Sequence, residues 1–483
     1  MAVEENKGPK FGMRHMQAFL IFSNIVVIYI SRLNIGVAVV AMTHAETTNP
    51  DFPEYNWNEK EVSYVLSSFF WGYVLTQFLG GALCKRFGAT LTLGWGTFST
   101  AVLSAITPWC VSWGGWKAFC VIRALQGLFQ GILFPSIHGH LAKWSPVTER
   151  TLLGALSLTG IDCGNVLSLG VSGLIAEGPM GWPGISYVSG GLCFLWCLLW
   201  FIFAADNVTK SRFASQAEKH YIESSMERSE DFHKKRIPTP WKAIFLSLPF
   251  NAFVVARCAE SWGLSILQIQ LPLYMNGVLN MKIKSNALST ALPFLVMFGF
   301  SYIFVFVANI LQSKKIMSLW NIRRTINTIA YWIPALGLIA IGFLEESQKT
   351  WTLVIMAVCG GVNSGATIGS CLNTIDLSAN HAGMLMGIVN TAANFMPLIT
   401  PLVVGAVVTD VHNRSQWQIV FIIAAAVFFF SNLFYITCGT SATQPWDAAD
   451  FLERKDAENP KPSKSYVQTK SFYRRRGSFT LTK

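Results

Sequence analysis

The chain has 483 residues, of which 52% are hydrophobic and only 13% charged, about half the charged share of an ordinary soluble domain. Its net charge is +11, which could suit nucleic acid or anionic lipid. The apolar residues, however, fall in long uncharged blocks and the basic ones at the ends of those blocks. Together these features exclude a soluble globular domain and leave a polytopic helical membrane protein.

Taken in order, apolar runs predict helices near 17–43, 62–84, 91–111, 116–141, 152–177 and 184–206. Six more follow near 249–279, 286–310, 325–344, 351–376, 382–409 and 416–440. Residues 185–205 and 419–439 contain no Asp, Glu, Lys or Arg. About 20 apolar residues of helix cross a hydrocarbon core of about 30 Å. Residues 1–16 read as a polar N-terminus, 17–206 as one six-helix bundle and 249–440 as a second. The segment 207–248 reads as a charged linker, and 441–483 as a basic tail with too few large apolar residues to fold. With both ends placed in the cytosol, the inside segments hold 28 Lys and Arg, the outside loops 6, and the helices 3. That asymmetry obeys the positive-inside rule.

Capping patterns punctuate the chain. Asn58-Glu-Lys-Glu61 should open the second helix, and Ser215-Gln-Ala-Glu218 a short helix in the linker that ends before HKKRIPTPW. Glycines four apart at 127/131, 160/164 and 361/365/369 mark close helix contacts. The ten cysteines show no CxxC or other metal-ligand spacing, and no metal or cofactor site is expected. No nucleophile–base set or phosphate loop points to an enzyme.

The chemistry resides in the few ionisable groups inside the apolar runs, because each is costly in lipid and belongs in a cavity or a pair. Arg32 lies in the first helix, Arg123 in the fourth, Asp162 in the fifth, and Arg257 and Glu260 in the seventh. Three cations against two acids leave about one excess positive charge, which favours an anion. Arg also offers a planar fork that matches carboxylate or phosphate oxygens. Arg257 and Glu260, three apart, can instead pair with each other. Gln130 shares a helix face with Arg123 but cannot titrate. Any proton carried must therefore use Asp162, Glu260 or, less readily, His138 and His140. Sodium prefers oxygen ligands, which Asp162, Asn165 and Gln130 supply.

The strings SRLNIGVAVV, SSFFWGYVLTQFLGG, RALQGLFQG, LFPSIH, KWSPVTER, NTIDLSANHAGMLMGIVNT and QPWD, spread over about residues 14–446, are together highly specific. They resemble the anion:cation symporter family of the major facilitator superfamily, which holds type I sodium–phosphate cotransporters, sialin and the vesicular glutamate transporters. The resemblance implies twelve transmembrane helices in two halves that alternate access by rocking. It also implies anion recognition by Arg32 and Arg123, with Arg257 as a further contributor. Proton-coupled branches carry a glutamate where this chain has Gln130, and the vesicular glutamate branch a histidine where it has Leu66. The first departure resembles the phosphate-cotransporter branch, and the second sets the chain apart from the vesicular glutamate branch. In GGALCKRFG, Lys85 stands where the superfamily has an acid; Arg86, Arg323 and Arg324 are expected at the cytosolic gate.

The expectation is thus a sodium-coupled symporter of phosphate or a similar small anion, working in the bilayer as a monomer without nucleic acid. The plasma membrane is the expected location. A proton- or potential-driven organic-anion carrier is the alternative, and a non-transporting receptor or scaffold the alternative of another class.

Overall fold

A computed structural model describes residues 11–43, 49–227, 239–266 and 283–448 apart from 411, with isolated positions at 9, 270, 274, 278, 451 and 454. The expectations for the rest of the tail and for HKKRIP lie outside the described residues. Helices occupy Met13–Thr43 (α1), Glu59–Phe87 (α2), Ala89–Trp144 (α3), Arg150–Glu177 (α4), Gly181–Phe203 (α5) and Gln216–Glu227 (α6). They continue with Leu248–Ser265 (α7), Ile283–Ser313 (α8), Leu319–Phe343 (α9), Lys349–Leu377 (α10), Ala382–Val407 (α11) and Arg414–Cys438 (α12). No strand occurs among the described residues.

Nine of the described helices are long and apolar enough to cross a membrane. One of them, α3, is 56 residues long, or about 84 Å if straight at 1.5 Å per residue, twice what a bilayer needs. It is a hairpin. Gly115 takes φ 57° and ψ −148° in its middle, a region that glycine alone enters cheaply. The two legs then run side by side, so that the Gln126 amide donates to Ser104 Oγ at 3.1 Å.

Small residues set the spacing between helices. A Cβ on Gly127 would lie 2.0 Å from the Phe69 carbonyl oxygen, and one on Gly72 2.0 Å from that of Ala124. The backbones of α2 and the second leg of α3 therefore touch, as small residues permit in lipid. Gly160 and Gly164 do the same for α4 against α1, at 2.6 Å from Phe22 O and 3.0 Å from Val26 O. Gly361, Gly365 and Gly369 face Val296, Phe304 and Asn327, and a π-helical turn at Thr367–Cys371 interrupts α10 among them.

Capping follows the sequence with one correction. Asn58 and Glu61 form a reciprocal box. At the linker helix only half of the box forms: Ser215 Oγ accepts from Glu218 N–H at 3.2 Å. The Glu218 carboxylate instead accepts the N–H groups of Met13 and Arg14, each at 2.9 Å. A charge at the positive end of α1's dipole is worth more there, and Arg14 completes the clamp by bonding Glu149 at 2.6 Å.

The polar segments meet at one end of the bundle, here the linker end. Lys85 Nζ donates to Thr239 Oγ1 at 3.3 Å, and after α12 the Asp447 carboxylate accepts from Ser378 and Asn380. One hydrophobic core draws only on residues 244–446, and another, at the far end, only on residues 35–185. A third joins the two parts of the chain at the linker end, uniting Leu133, Ile137 and Leu141 with Leu372, Ile375, Ala382 and Met386. Contact there is tight: a Cβ on Gly81 would lie 2.5 Å from Met384 Cα, and one on Gly387 2.7 Å from Gln77 O. The structure is closed at this end.

Candidate functional site

Arg32 projects from α1 toward α2. Its guanidinium carbon lies 4.5 Å from the centre of the Tyr73 ring, 5.0 Å from Phe69, 5.2 Å from Phe70 and 5.6 Å from Tyr29. Ring faces attract a cation without cancelling its charge, and no carboxylate among the described residues pairs with this arginine. The cage arises from helix periodicity: Tyr29 sits one turn before Arg32, while Phe69 and Tyr73 share a face of α2 four residues apart.

Arg123, on the second leg of α3, is only 3% exposed. It donates to Gln126 Oε1 at 2.9 Å and to the carbonyls of Ser31 and Arg32 at 3.3 and 3.0 Å. Its guanidinium lies 5.0 Å from the Phe69 ring, so both arginines flank one phenyl group. Every partner is neutral, and Nε has none. By holding the main chain of Arg32, Arg123 fixes where that side chain starts. Its other side borders a hydroxyl-rich hollow with Ser31, Asn34, Ser104, Thr107, Ser186 and Ser189.

Gln130 lines the same pocket as Arg32, together with Tyr29, Tyr73, Ile25 and Leu133. The residue is 1% exposed, and neither its amide nitrogen nor its oxygen has a hydrogen-bond partner.

The remaining membrane charges behave differently. Arg257 bonds directly to Glu260, so the pairing read as one option from the sequence is the arrangement observed. Asp162, 7% exposed, accepts a hydrogen bond from the Ser301 hydroxyl of α8 and has no cationic partner among the described residues. Asn165, one turn further along α4 and also 7% exposed, leaves Oδ1 unpartnered. The summed charge is about +1, carried by the α1–α3 side.

Of the three arginines expected at the gate, Arg323 is fully buried and bridges both parts of the chain. It bonds Asp376 and the Ile368 carbonyl at 3.0 and 2.7 Å, and Thr151 Oγ1 of α4 at 3.4 Å. Arg86 and Arg324 are exposed at the linker end, Arg86 lying over its neighbour Phe87. His138 reaches across to Thr374 at 3.1 Å, and His140 bonds Gln17 at 3.1 Å. Sequence reasoning missed the four-ring cage, Ser301, Asp376 and Asp447. The cage left a trace in the aromatic spacing of SSFFWGY beside YISR, and Asp376 and Asp447 lie in the strings NTIDLSANHAGMLMGIVNT and QPWD; Ser301 left none.

Comparison with known proteins agrees with the fold. A model of the Major Facilitator Superfamily matches residues 21–401 and 322–481. A Drosophila melanogaster protein named "Putative inorganic phosphate cotransporter" is 34% identical, covering 94% of this chain and 90% of its own length. Human sialin is 32% identical over 90% of this chain and 91% of its own. Bovine vesicular glutamate transporter 1 is 32% identical over 86% and 75%. Among solved structures, a proton:xylose symporter superposes with a TM-score of 0.70 at 13% identity, covering 91% of this chain and 98% of its own; at that identity the likeness concerns the fold alone. These are membrane transporters rather than enzymes. The chain belongs to the Major Facilitator Superfamily, in the group that includes phosphate cotransporters, sialin and the vesicular glutamate transporters.

Proposed function

We propose that the chain is a secondary active symporter that moves inorganic phosphate or a similar small anion by alternating access, with sodium as the coupling cation. One observation carries the reading: the Arg32 guanidinium faces a pocket, held by ring faces and, among the described residues, by no carboxylate, while Arg257 is cancelled by Glu260. An uncompensated cation, half-buried within a membrane-spanning helix, calls for an anion. Arg32 would bind it directly, and Arg123, two neutral carbonyls away, would add positive potential and hold the α1 main chain. Asp162 is the mirror case: a buried acid without a cation partner. Held by Ser301 from α8, with the Asn165 oxygen nearby in sequence, it would take the coupling cation where α4 meets α8. Gln130 and Glu260 are the other coupling candidates, and Arg323 would close the linker end.

The phosphate-cotransporter name borne by a relative supports the choice of phosphate. The full reading has twelve spans in two six-helix halves, 17–206 and 249–440, with both termini cytosolic. It describes a monomer of the plasma membrane. Its test is uptake into proteoliposomes across a panel of anions, driven in turn by a sodium gradient, a pH gradient and a membrane potential. Accumulation of phosphate that needs sodium is expected. Proton-driven accumulation of a carboxylate would instead select the organic-anion reading, with Asp162 as proton carrier. Binding without accumulation would select a receptor.

A further inference from the structure

We infer that Gln130 makes the site selective for an oxyanion that still carries a hydroxyl hydrogen, so that phosphate is bound through a P–OH as well as through its anionic oxygens. The inference rests on the phosphate reading above and extends it to how the site tells phosphate from other anions.

Its basis is the hydrogen-bond bookkeeping of one side chain. Buried polar groups in folded proteins nearly always have partners, and a missing one is costly. Gln130 is buried to 1% exposure and leaves both ends of its amide unpartnered. Those ends are chemically opposite: Nε2 only donates and Oε1 only accepts. The polar groups that share its pocket, the Tyr29 and Tyr73 hydroxyls and the Arg32 guanidinium, bond to neither end, and the rest of the lining is Ile25, Ile28, Leu133, Phe134 and Ile137. The occupant must therefore accept from Nε2 and donate to Oε1 while presenting negative charge to the Arg32 fork. A phosphate ion that keeps at least one P–OH does all three at once, with a P–O⁻ toward Arg32, a phosphoryl oxygen toward Nε2 and the P–OH toward Oε1. Sulfate and carboxylates have no O–H; they would leave Oε1 facing an oxygen lone pair. A site built to receive a substrate hydroxyl rejects the analogue without one far more strongly than shape alone allows.

Difluorophosphate provides the probe, since it matches dihydrogen phosphate in charge and tetrahedral shape but has no O–H. At a fixed, mildly acidic pH, radiolabelled phosphate uptake into proteoliposomes is competed with phosphate, arsenate, difluorophosphate and sulfate. Phosphate and arsenate should compete at least about tenfold better than difluorophosphate and sulfate, the weight of one hydrogen bond to a buried group. In Gln130→Leu the preference for phosphate over difluorophosphate should shrink toward one. The ratio does not depend on how much protein folds, and Gln130→Met repeats the test with an unbranched side chain. Because Leu removes two orphaned atoms, the ligand-free variant should melt no lower than the wild type; a purely structural glutamine would make it melt lower. Equal competition by difluorophosphate in the wild type, or an unchanged ratio in both variants, overturns the inference while leaving phosphate transport intact. A carrier that takes up carboxylates and no phosphate overturns both readings.

Discussion

Arg32 and Arg257 are both arginines inside helices, yet their neighbours give them opposite tasks. Arg257 finds Glu260 one turn away; Arg32 finds aromatic rings. Removing one member of a buried pair strands the other charge, at about 3–5 kcal/mol, whereas removing both is far cheaper. Arg257→Gln and Glu260→Gln should therefore each lower the melting temperature of the purified protein by several degrees. The double variant should recover most of that loss. If the double variant melts as low as the sum of the singles, the pair is not an isolated unit. The sequence made this pair legible through its spacing of three. It could not reveal that Arg123 binds main-chain carbonyls, because backbone partners leave no mark in side-chain patterns.

At the scale of helices, close approach positions the site. Gly127 lets α3 rest on the Phe69 carbonyl, and the Phe69 ring separates Arg32 from Arg123. A methyl group there must push the helices apart, so Gly127→Ala should both destabilise the protein and cut uptake by about tenfold or more. By contrast, Asn58→Ala removes a helix cap far from the pocket. It should cost about 1 kcal/mol of stability and leave uptake per folded molecule unchanged. An uptake loss that merely tracked stability in Gly127→Ala would refute the positioning role. Most helices were readable from apolar runs long enough to span a bilayer, and the glycine repeats correctly marked contacts. The turn at Gly115, which makes two legs of one long helix, falls in the 112–115 break between apolar runs. The linker's capping box forms only in part because α1's exposed N–H groups compete for Glu218, a competition that the sequence does not show.

For the whole molecule, closure at the linker end is the feature that alternating access must undo. Gly81 and Met384 face each other across the seam, as do Arg323 and Thr151. A methyl group at position 81 would press on the Met384 backbone, so Gly81→Ala should keep this seam from closing fully and sharply reduce uptake. Wild-type uptake by Gly81→Ala would mean that closure of the seam is not part of the transport cycle. This seam was the least legible level of the fold, since partners such as Ser301 for Asp162 and Thr374 for His138 lie more than a hundred residues apart. The central claim is that an uncancelled charge on Arg32 holds the anion, and equilibrium binding of radiolabelled phosphate to purified protein tests it most directly. The account predicts that Arg32→Gln loses binding by about 100-fold or more, while Arg257→Gln/Glu260→Gln retains it. Wild-type affinity in Arg32→Gln would contradict it.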